Sequence, residues 1–305
     1  MHTSKAYHIY INRNSGSVQN MGEDALKAVL NKSGIKIEAL YILPPEKLFK
    51  KLKTETPGRN ILIGGGDGTI TGAASILSEL NIAFGILPLG TMNLLAKDLD
   101  IPAQFNEAVC SYTGDTDNIE IDATYANGHL FLCSAGIGTL PDSSNFREDN
   151  RFQNQAILMP RLLLYVLNRM DPKCRKKYHL KLDDQNLQFK SASLVISNNQ
   201  YASSDEWSSS SLKRTGLQEG LMALYSAAPS NFLDKCRILL KLGFGGWRKD
   251  PKIKEWLAKE ITVQCDNSHE QVSLDGETQM LETPIHFKIV PKHIKLITPR
   301  GASHV

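Results

Sequence analysis

Six consecutive residues, Gly64-Gly65-Gly66-Asp67-Gly68-Thr69, carry the densest chemical signal in the chain. Glycines lack a Cβ, so their backbone N–H groups can close on phosphate oxygens, and a helix starting just beyond them adds the positive end of its dipole. A triphosphate suits such a turn. Asp67 tolerates phosphate only across a divalent cation or a proton, which makes it a candidate for positioning magnesium or handling the acceptor's proton. An isolated Gly-Asp-Gly is more often a plain strand-to-helix turn capped by its aspartate. Against that reading, Pro88-Leu89-Gly90-Thr91-Met92-Asn93 repeats the same order of strand, glycine, hydroxyl and polar residue one unit later. Thr91 and Asn93 suit hydrogen bonds to phosphate or ribose. Neither turn fits GxxxxGK(S/T) or GxGxxG, which disfavours a P-loop protein and a Rossmann dehydrogenase.

Near the other end, Ser273-Leu274-Asp275-Gly276-Glu277 sets two carboxylates about a glycine at the end of a strand-like run. Phosphoryl transfer to an alcohol benefits from a carboxylate that accepts the hydroxyl proton, so Asp275 is the base candidate. A bare Asp-Gly is usually only a hairpin turn.

The elements that must position these residues follow from periodicity. Strands at Ala6 to Ile11, Lys36 to Leu43, Asn60 to Ile63 and Ala83 to Leu87 alternate with helical patterns at Glu23 to Leu30, Glu46 to Lys53, Thr71 to Leu80 and Asn93 to Leu99. That alternation predicts a parallel sheet covered on both faces, with ligands beyond the carboxyl ends of its strands, where both glycine turns fall. From Ile119 the texture changes to short strands: Ile119 to Thr124, His129 to Cys133, Tyr178 to Leu182, Leu187 to Phe189, Leu194 to Ser197 and Leu221 to Tyr225. Helical stretches are expected at Ala156 to Met170, Asn231 to Leu242 and Lys252 to Ala258, and a loop at Ser203 to Ser211. The division expected is 1–125, with about 290–305 returning to it, and 126–289 as a mainly antiparallel domain.

Composition narrows the function class. A formal net charge of +3 in 305 residues is too mild to imply nucleic acid. Five scattered cysteines without a CxxC pair argue against zinc and a disulfide framework. Met1 to Tyr10 has no apolar signal core, and the apolar run Leu162 to Leu167 is too short to span a bilayer, so a cytoplasmic protein is expected. Basic residues from Lys235 to Lys254, interleaved with Phe232, Leu239, Phe244, Trp247 and Trp256, would suit an anionic bilayer surface. They suit a solvated amphipathic helix pair equally well.

Taken together, the motifs resemble the diacylglycerol kinase catalytic-domain family, which includes sphingosine kinases and bacterial lipid kinases. The resemblance rests on Asn12, Ser15 and Gly16 in place of an Asn-Pro-x-Ser-Gly loop, on Gly65-Gly66-Asp67-Gly68-Thr69, on Pro88-Leu89-Gly90-Thr91-x-Asn93, on Ile121-Asp122 and on Asp275-Gly276-Glu277. They occur in the family's order over nearly the whole chain. The resemblance implies α/β plus all-β architecture: an N-terminal three-layer α/β nucleotide-binding domain and a C-terminal antiparallel β-sandwich, with Ile294 to Pro299 as the returning strand. It implies an ATP-dependent lipid kinase using Mg²⁺. Asn12, Ser15, Gly16, Gly65, Gly66, Gly68, Thr69, Gly90, Thr91 and Asn93 would line the nucleotide site. Asp67 and Asp122 would organise metal and water, and Asp275 with Glu277 would serve the acceptor hydroxyl.

This chain departs from the pattern at three places. Arg13 replaces the usual proline. Leu94 replaces a frequent aspartate. Glu219-Gly220-Leu221 stands where many bacterial members have Asp-Gly-Leu and a structural cation, which makes Glu219 the candidate ligand there. The expected partner is a lipid substrate at a membrane surface, on the inner face of the membrane, without nucleic acid, and a homodimer is admitted. An NAD kinase-like enzyme is the nearest alternative. A catalytically silent, nucleotide-sensing, membrane-recruited module is the alternative from another class.

Overall fold

The computed structural model describes residues 5–138, 175–202 and 213–301. The helix expected at Ala156 to Met170, the apolar run Leu162 to Leu167, Cys174 and the loop at Ser203 to Ser211 lie outside the described residues. The chain divides into two compact units, Met1–Asp122 with Pro291–Val305, and Ala123–Val290.

The first unit is built on strands β1 (Ala6–Asn12), β2 (Lys36–Leu43), β3 (Asn60–Gly65) and β4 (Phe84–Pro88), all parallel, in the order β2-β1-β3-β4. The last part of β16 (Ile285–Pro299) closes the row, with Leu296 beside Phe84 and parallel to it. Ile9, Tyr10, Ile11, Ile61, Leu62, Ile63, Phe84 and Leu87 are buried, the continuous apolar runs of a sheet covered on two faces. Its helices are α1 (Gly16–Met21), α2 (Glu23–Lys32), α3 (Pro45–Leu52), α4 (Asp67–Glu79), α5 (Leu94–Asp98) and α6 (Phe105–Ser111). Right-handed crossovers put α1 and α2, which lead one way along the sheet, on one face, and α3 and α4, which lead the other way, on the opposite face. The sheet side of α4 is Ile70, Ala73, Ala74 and Leu77, an i, i+3, i+4, i+7 set. Tyr112 pins the returning strand: its hydroxyl accepts from Ile86 N at 2.9 Å and lies 3.3 Å from the carbonyl of Ile297.

The second unit holds β6 (His129–Phe131), β7 (Ser134–Gly138), β8 (Lys176–Leu182), β9 (Gln185–Ser191), β10 (Ser193–Ser197), β11 (Met222–Ala227), β12 (Ile253–Ala258), β13 (Glu260–Gln264), β14 (His269–Leu274) and β15 (Glu277–Glu282), and the first part of β16; β5 (Thr116–Ala126) enters it from the first unit. One antiparallel sheet runs β12-β11-β10-β7-β14-β15, and β9-β8-β13 continues onto β16 as a second layer. Phe131, Ile137, Tyr178, Leu194, Ile196, Leu224, Ile261, Val272 and Phe287 fill the core between them. The sandwich and the α/β unit are the architecture the sequence implied.

One expected element is different. Lys252 to Ala258 is no helix but the edge strand β12, paired with β11 from Met222↔Ala258 to Ala227↔Ile253. A stretch this short takes its structure from the contacts it can make rather than from its own propensity. The strand instead gains a ladder and stacks Trp256 on Phe189, with ring centroids 5.3 Å apart. Helix α7 (Phe232–Phe244) forms where a helix was expected.

Candidate functional site

In the first unit three loops meet at the carboxyl ends of neighbouring strands. The sheet order changes direction between β1 and β3, so the ends of those two strands flank the crevice where open α/β sheets take ligands. Asn12 closes β1 and ties two of the loops. Its Nδ2 donates to Thr69 Oγ1 at 2.8 Å, and its Oδ1 accepts from Asn14 N at 2.9 Å.

The two glycine turns interlock backbone against backbone. Leu89 N donates to the Gly65 carbonyl at 3.0 Å, extending the β3–β4 ladder into the turns. A Cβ on Gly90 would stand 2.4 Å from Gly66 Cα, and one on Gly66 would stand 3.2 Å from Gly90 Cα. The glycines are therefore required by each other as well as by any ligand. Asp67, the first residue of α4, reaches across to the second turn. Its Oδ1 accepts from Leu94 N, the first residue of α5, at 2.7 Å. Asn93, in the left-handed region at φ 49°, folds back on its own turn, accepting from Gly90 N and donating to the Gly90 carbonyl, both at 2.8 Å. Gly68 lies in the first turn of α4, whose leading N–H groups have no intrahelical acceptor, and Thr91 is exposed.

Two observations point to something held here. Ser15 is buried, yet its Oγ has no hydrogen-bond partner. A stranded hydroxyl costs free energy unless a ligand completes it. Beside it, a Cβ on Gly16 would meet nothing within 4 Å. An unsatisfied hydroxyl, the open space beside Gly16 and, at the end of the neighbouring strand β3, the leading amides of a 13-residue helix are groups suited to an anion.

The second unit holds the carboxylate pair. Asp275 and Gly276 are the two turn residues between β14 and β15, at φ 48° and 90°, as the hairpin turn with both central residues left-handed demands. The turn explains the glycine but not the carboxylate. Asp275 Oδ2 accepts from Leu132 N at 2.7 Å, and Oδ1 accepts from Cys133 N at 2.8 Å and Ser134 N at 2.9 Å. Behind that amide segment, Arg214 and Asn198 both donate to the Leu132 carbonyl. Sequence reasoning missed Leu132 to Ser134, because backbone amides leave no signature in side-chain types, and it missed Asn198 and Arg214, whose side chains meet that segment only through the fold. Glu277 opens β15 and is exposed.

Asp122 is fully buried and its Oδ1 accepts from Lys292 N at 2.9 Å, where Lys292 is itself left-handed at φ 51°. Its carboxylate thus anchors the returning segment. Glu219 is exposed in the loop before β11. Among the described residues no three His, Cys, Asp or Glu side chains gather as a metal-holding group, so Asp67, Asp122 and Glu219 make no shared cage.

Residues 6–124 match the family model described as the diacylglycerol kinase catalytic domain. A Staphylococcus haemolyticus protein named "Putative lipid kinase" is 25% identical over 78% of this chain and 76% of its own length. An uncharacterized Synechocystis protein is 22% identical over 83% of the chain, which spans only 58% of that relative. Solved structures of Bacillus anthracis proteins share the fold. One titled a diacylglycerol kinase superposes with a TM-score of 0.64 at 18% identity, over 99% of this chain and all of that one. Another, titled a "putative diacylglycerol kinase", gives 0.69 at 20% identity over 98% and 97%. Residues 6–124 are thus similar to the diacylglycerol kinase catalytic domain, and most of the chain is similar to a protein named a putative lipid kinase.

Proposed function

We propose that this protein is an ATP-dependent lipid kinase that passes the γ-phosphoryl group to a lipid hydroxyl such as that of diacylglycerol. The observation that carries the reading is the partnerless Ser15 hydroxyl beside Gly16, in a loop that Ser17 N ties to the Leu89 carbonyl of the second glycine turn at 3.3 Å. Ser15, the amides of Gly66 to Thr69 and the Gly90–Asn93 turn would hold the polyphosphate, and Asn12 would fix Thr69 beside it. Mg²⁺ keeps several waters and takes one or two carboxylates together with phosphate oxygens, so Asp67 suffices as its protein ligand. When bound, the ion would neutralise charge on the phosphates.

In the transfer, the acceptor oxygen forms a bond to the γ-phosphorus as the bond to the bridging oxygen breaks and ADP leaves. The hydroxyl proton passes to Asp275, whose carboxylate the three amides hold in one orientation. Glu277, two residues on, is the second carboxylate of the acceptor side. No helix among the described residues is long and apolar enough to cross a membrane, so access to a lipid would be from the membrane surface.

The test is purified protein with γ-labelled ATP, offered a total lipid extract in micelles or NAD, with products identified by mass spectrometry. Label in a phospholipid is expected. Label in NAD alone would replace the lipid reading with the NAD kinase-like one, and ATP binding without any transfer would leave the silent module.

A further inference from the structure

Helix α7 stands apart from the machinery above. Asn231 caps it by accepting from Asp234 N at 2.8 Å, while Asp234 returns to Ser230 N at 2.9 Å, so the helix is well started. Its inner side carries buried Ile238, and Leu242 packs on the aromatic cluster of Tyr201, Tyr225 and Trp247. Buried Asp250 then clamps it, accepting from Arg237 Nε at 2.8 Å and pairing with Lys241 Nζ at 3.1 Å.

The outer side is apolar and exposed. Phe232 is 65% exposed, Leu233 75%, Leu240 59% and Phe244 47%. At about 100° per residue, Phe232, Cys236, Leu240 and Phe244 follow each other at four-residue spacing and Leu233 lies alongside, within an arc of about 120°. Scattered surface leucines need no explanation, but a clustered helix face does.

Charge says what would cover it. From Phe232 to Glu255 there are seven lysines and arginines against two aspartates and one glutamate. Both aspartates are buried behind the helix. The cations that meet them, Arg237, Lys241 and Lys252, keep 34–40% of their side chains exposed. Lys249 and Lys254 are exposed as well. An apolar stripe with a basic surround, on a helix clamped from within, has the chemistry of one lying in the interface of an anionic bilayer, with its cations snorkelling to the headgroups.

We propose that the exposed face of α7 docks the protein onto anionic phospholipid. The inference deepens the lipid-kinase reading and rests on it for its purpose, but its test needs no turnover. Wild-type protein is floated with vesicles of phosphatidylcholine alone or with about a third phosphatidylglycerol. Two variants are run beside it, Leu233→Ser with Leu240→Ser, and Lys249→Glu with Lys254→Glu, each checked for an unchanged thermal transition. The wild type is expected to float with the anionic vesicles only. Each variant should partition at least about tenfold more weakly, because two leucines no longer transfer from water or two headgroup contacts become repulsions. Failure of the wild type to float, or a leucine variant that floats equally well, overturns the proposal. So does a wild-type dimer in sedimentation that the leucine substitutions dissociate while flotation is unchanged, since the face would then serve a second copy of the chain. Phosphorylation of a short-chain diacylglycerol in detergent is measured separately; its absence would remove the kinase reading and leave the flotation result standing.

Discussion

Replacing Gly16 and Gly90 by alanine, one at a time, separates a glycine kept for a ligand from one kept for the fold. At Gly16 the new methyl meets nothing within 4 Å, and the residue is the first of α1 with no left-handed φ. Alanine there restricts the unfolded chain without native strain and should stabilise by about 0.5–1 kcal/mol. In a unit of this size that raises the thermal midpoint by roughly 1–4 °C. At Gly90 the methyl lands 2.4 Å from Gly66 Cα and 2.9 Å from Asn93 Oδ1. Neither neighbour is the loose end of a side chain, so both turns must shift, at an overpacking cost of about 1–3 kcal/mol. Scanning calorimetry reads the stabilities and titration calorimetry with ATP reads the affinity. If the open space beside Gly16 is where phosphate lies, Gly16→Ala should bind ATP about tenfold to a hundredfold more weakly, the same overpacking term applied to the ligand, in a protein at least as stable as the wild type. Undiminished ATP affinity in Gly16→Ala would refute the placement of the phosphates. A Gly90→Ala protein as stable as the wild type would refute the interlocked turns.

Ser15→Ala should leave the free protein unharmed or slightly more stable, since its hydroxyl has no partner to lose, yet weaken ATP about twofold to tenfold; denaturant midpoints and ATP titration check both halves. Asp275→Asn keeps one acceptor oxygen and points an amide group at a backbone N–H, so it should destabilise the second unit by about 1–3 kcal/mol as well as cut turnover, while ATP affinity stays; full turnover in the variant would remove Asp275 from the reaction. The hydrogen bond from Arg237, then those from Lys252 N and Lys241, outweigh the cost of burial and hold Asp250 well below the usual carboxylate range. With the folded value depressed, this stabilisation is present above the unfolded value near about 3.9 and is lost as pH falls below it. The gap in urea midpoint between wild type and Asp250→Asn should therefore be wide near neutrality and close below about pH 4; a gap independent of pH would show that Asp250 acts by packing alone.

What the amino-acid order determined by itself is whatever depends on neighbours in sequence. Apolar runs ending in glycines place β1, β3 and β4 and the turns after them, and the change of texture near Ile119 marks where parallel strands give way to antiparallel ones. The candidate residues were legible because glycine, aspartate and asparagine at fixed offsets are written in side-chain types. Only the tertiary structure decided what depends on backbone groups from distant segments. Ile253 to Ala258 satisfies helical spacing and strand alternation alike, and the free edge of β11 settles it as a strand. Asp67 reads as a cap for its own helix, and only the folded chain brings Leu94 N, 27 positions away, onto its carboxylate. Gly66 and Gly90 look like separate ligand-facing glycines until their backbones are found packed on each other. Asp275 reads as a lone turn residue, since nothing in its neighbourhood announces the three amides from more than 140 positions away. A hydrogen bond to an amide asks nothing of the donor's side chain, so the sequence keeps no record of it, and only the folded chain shows which carboxylates are anchored.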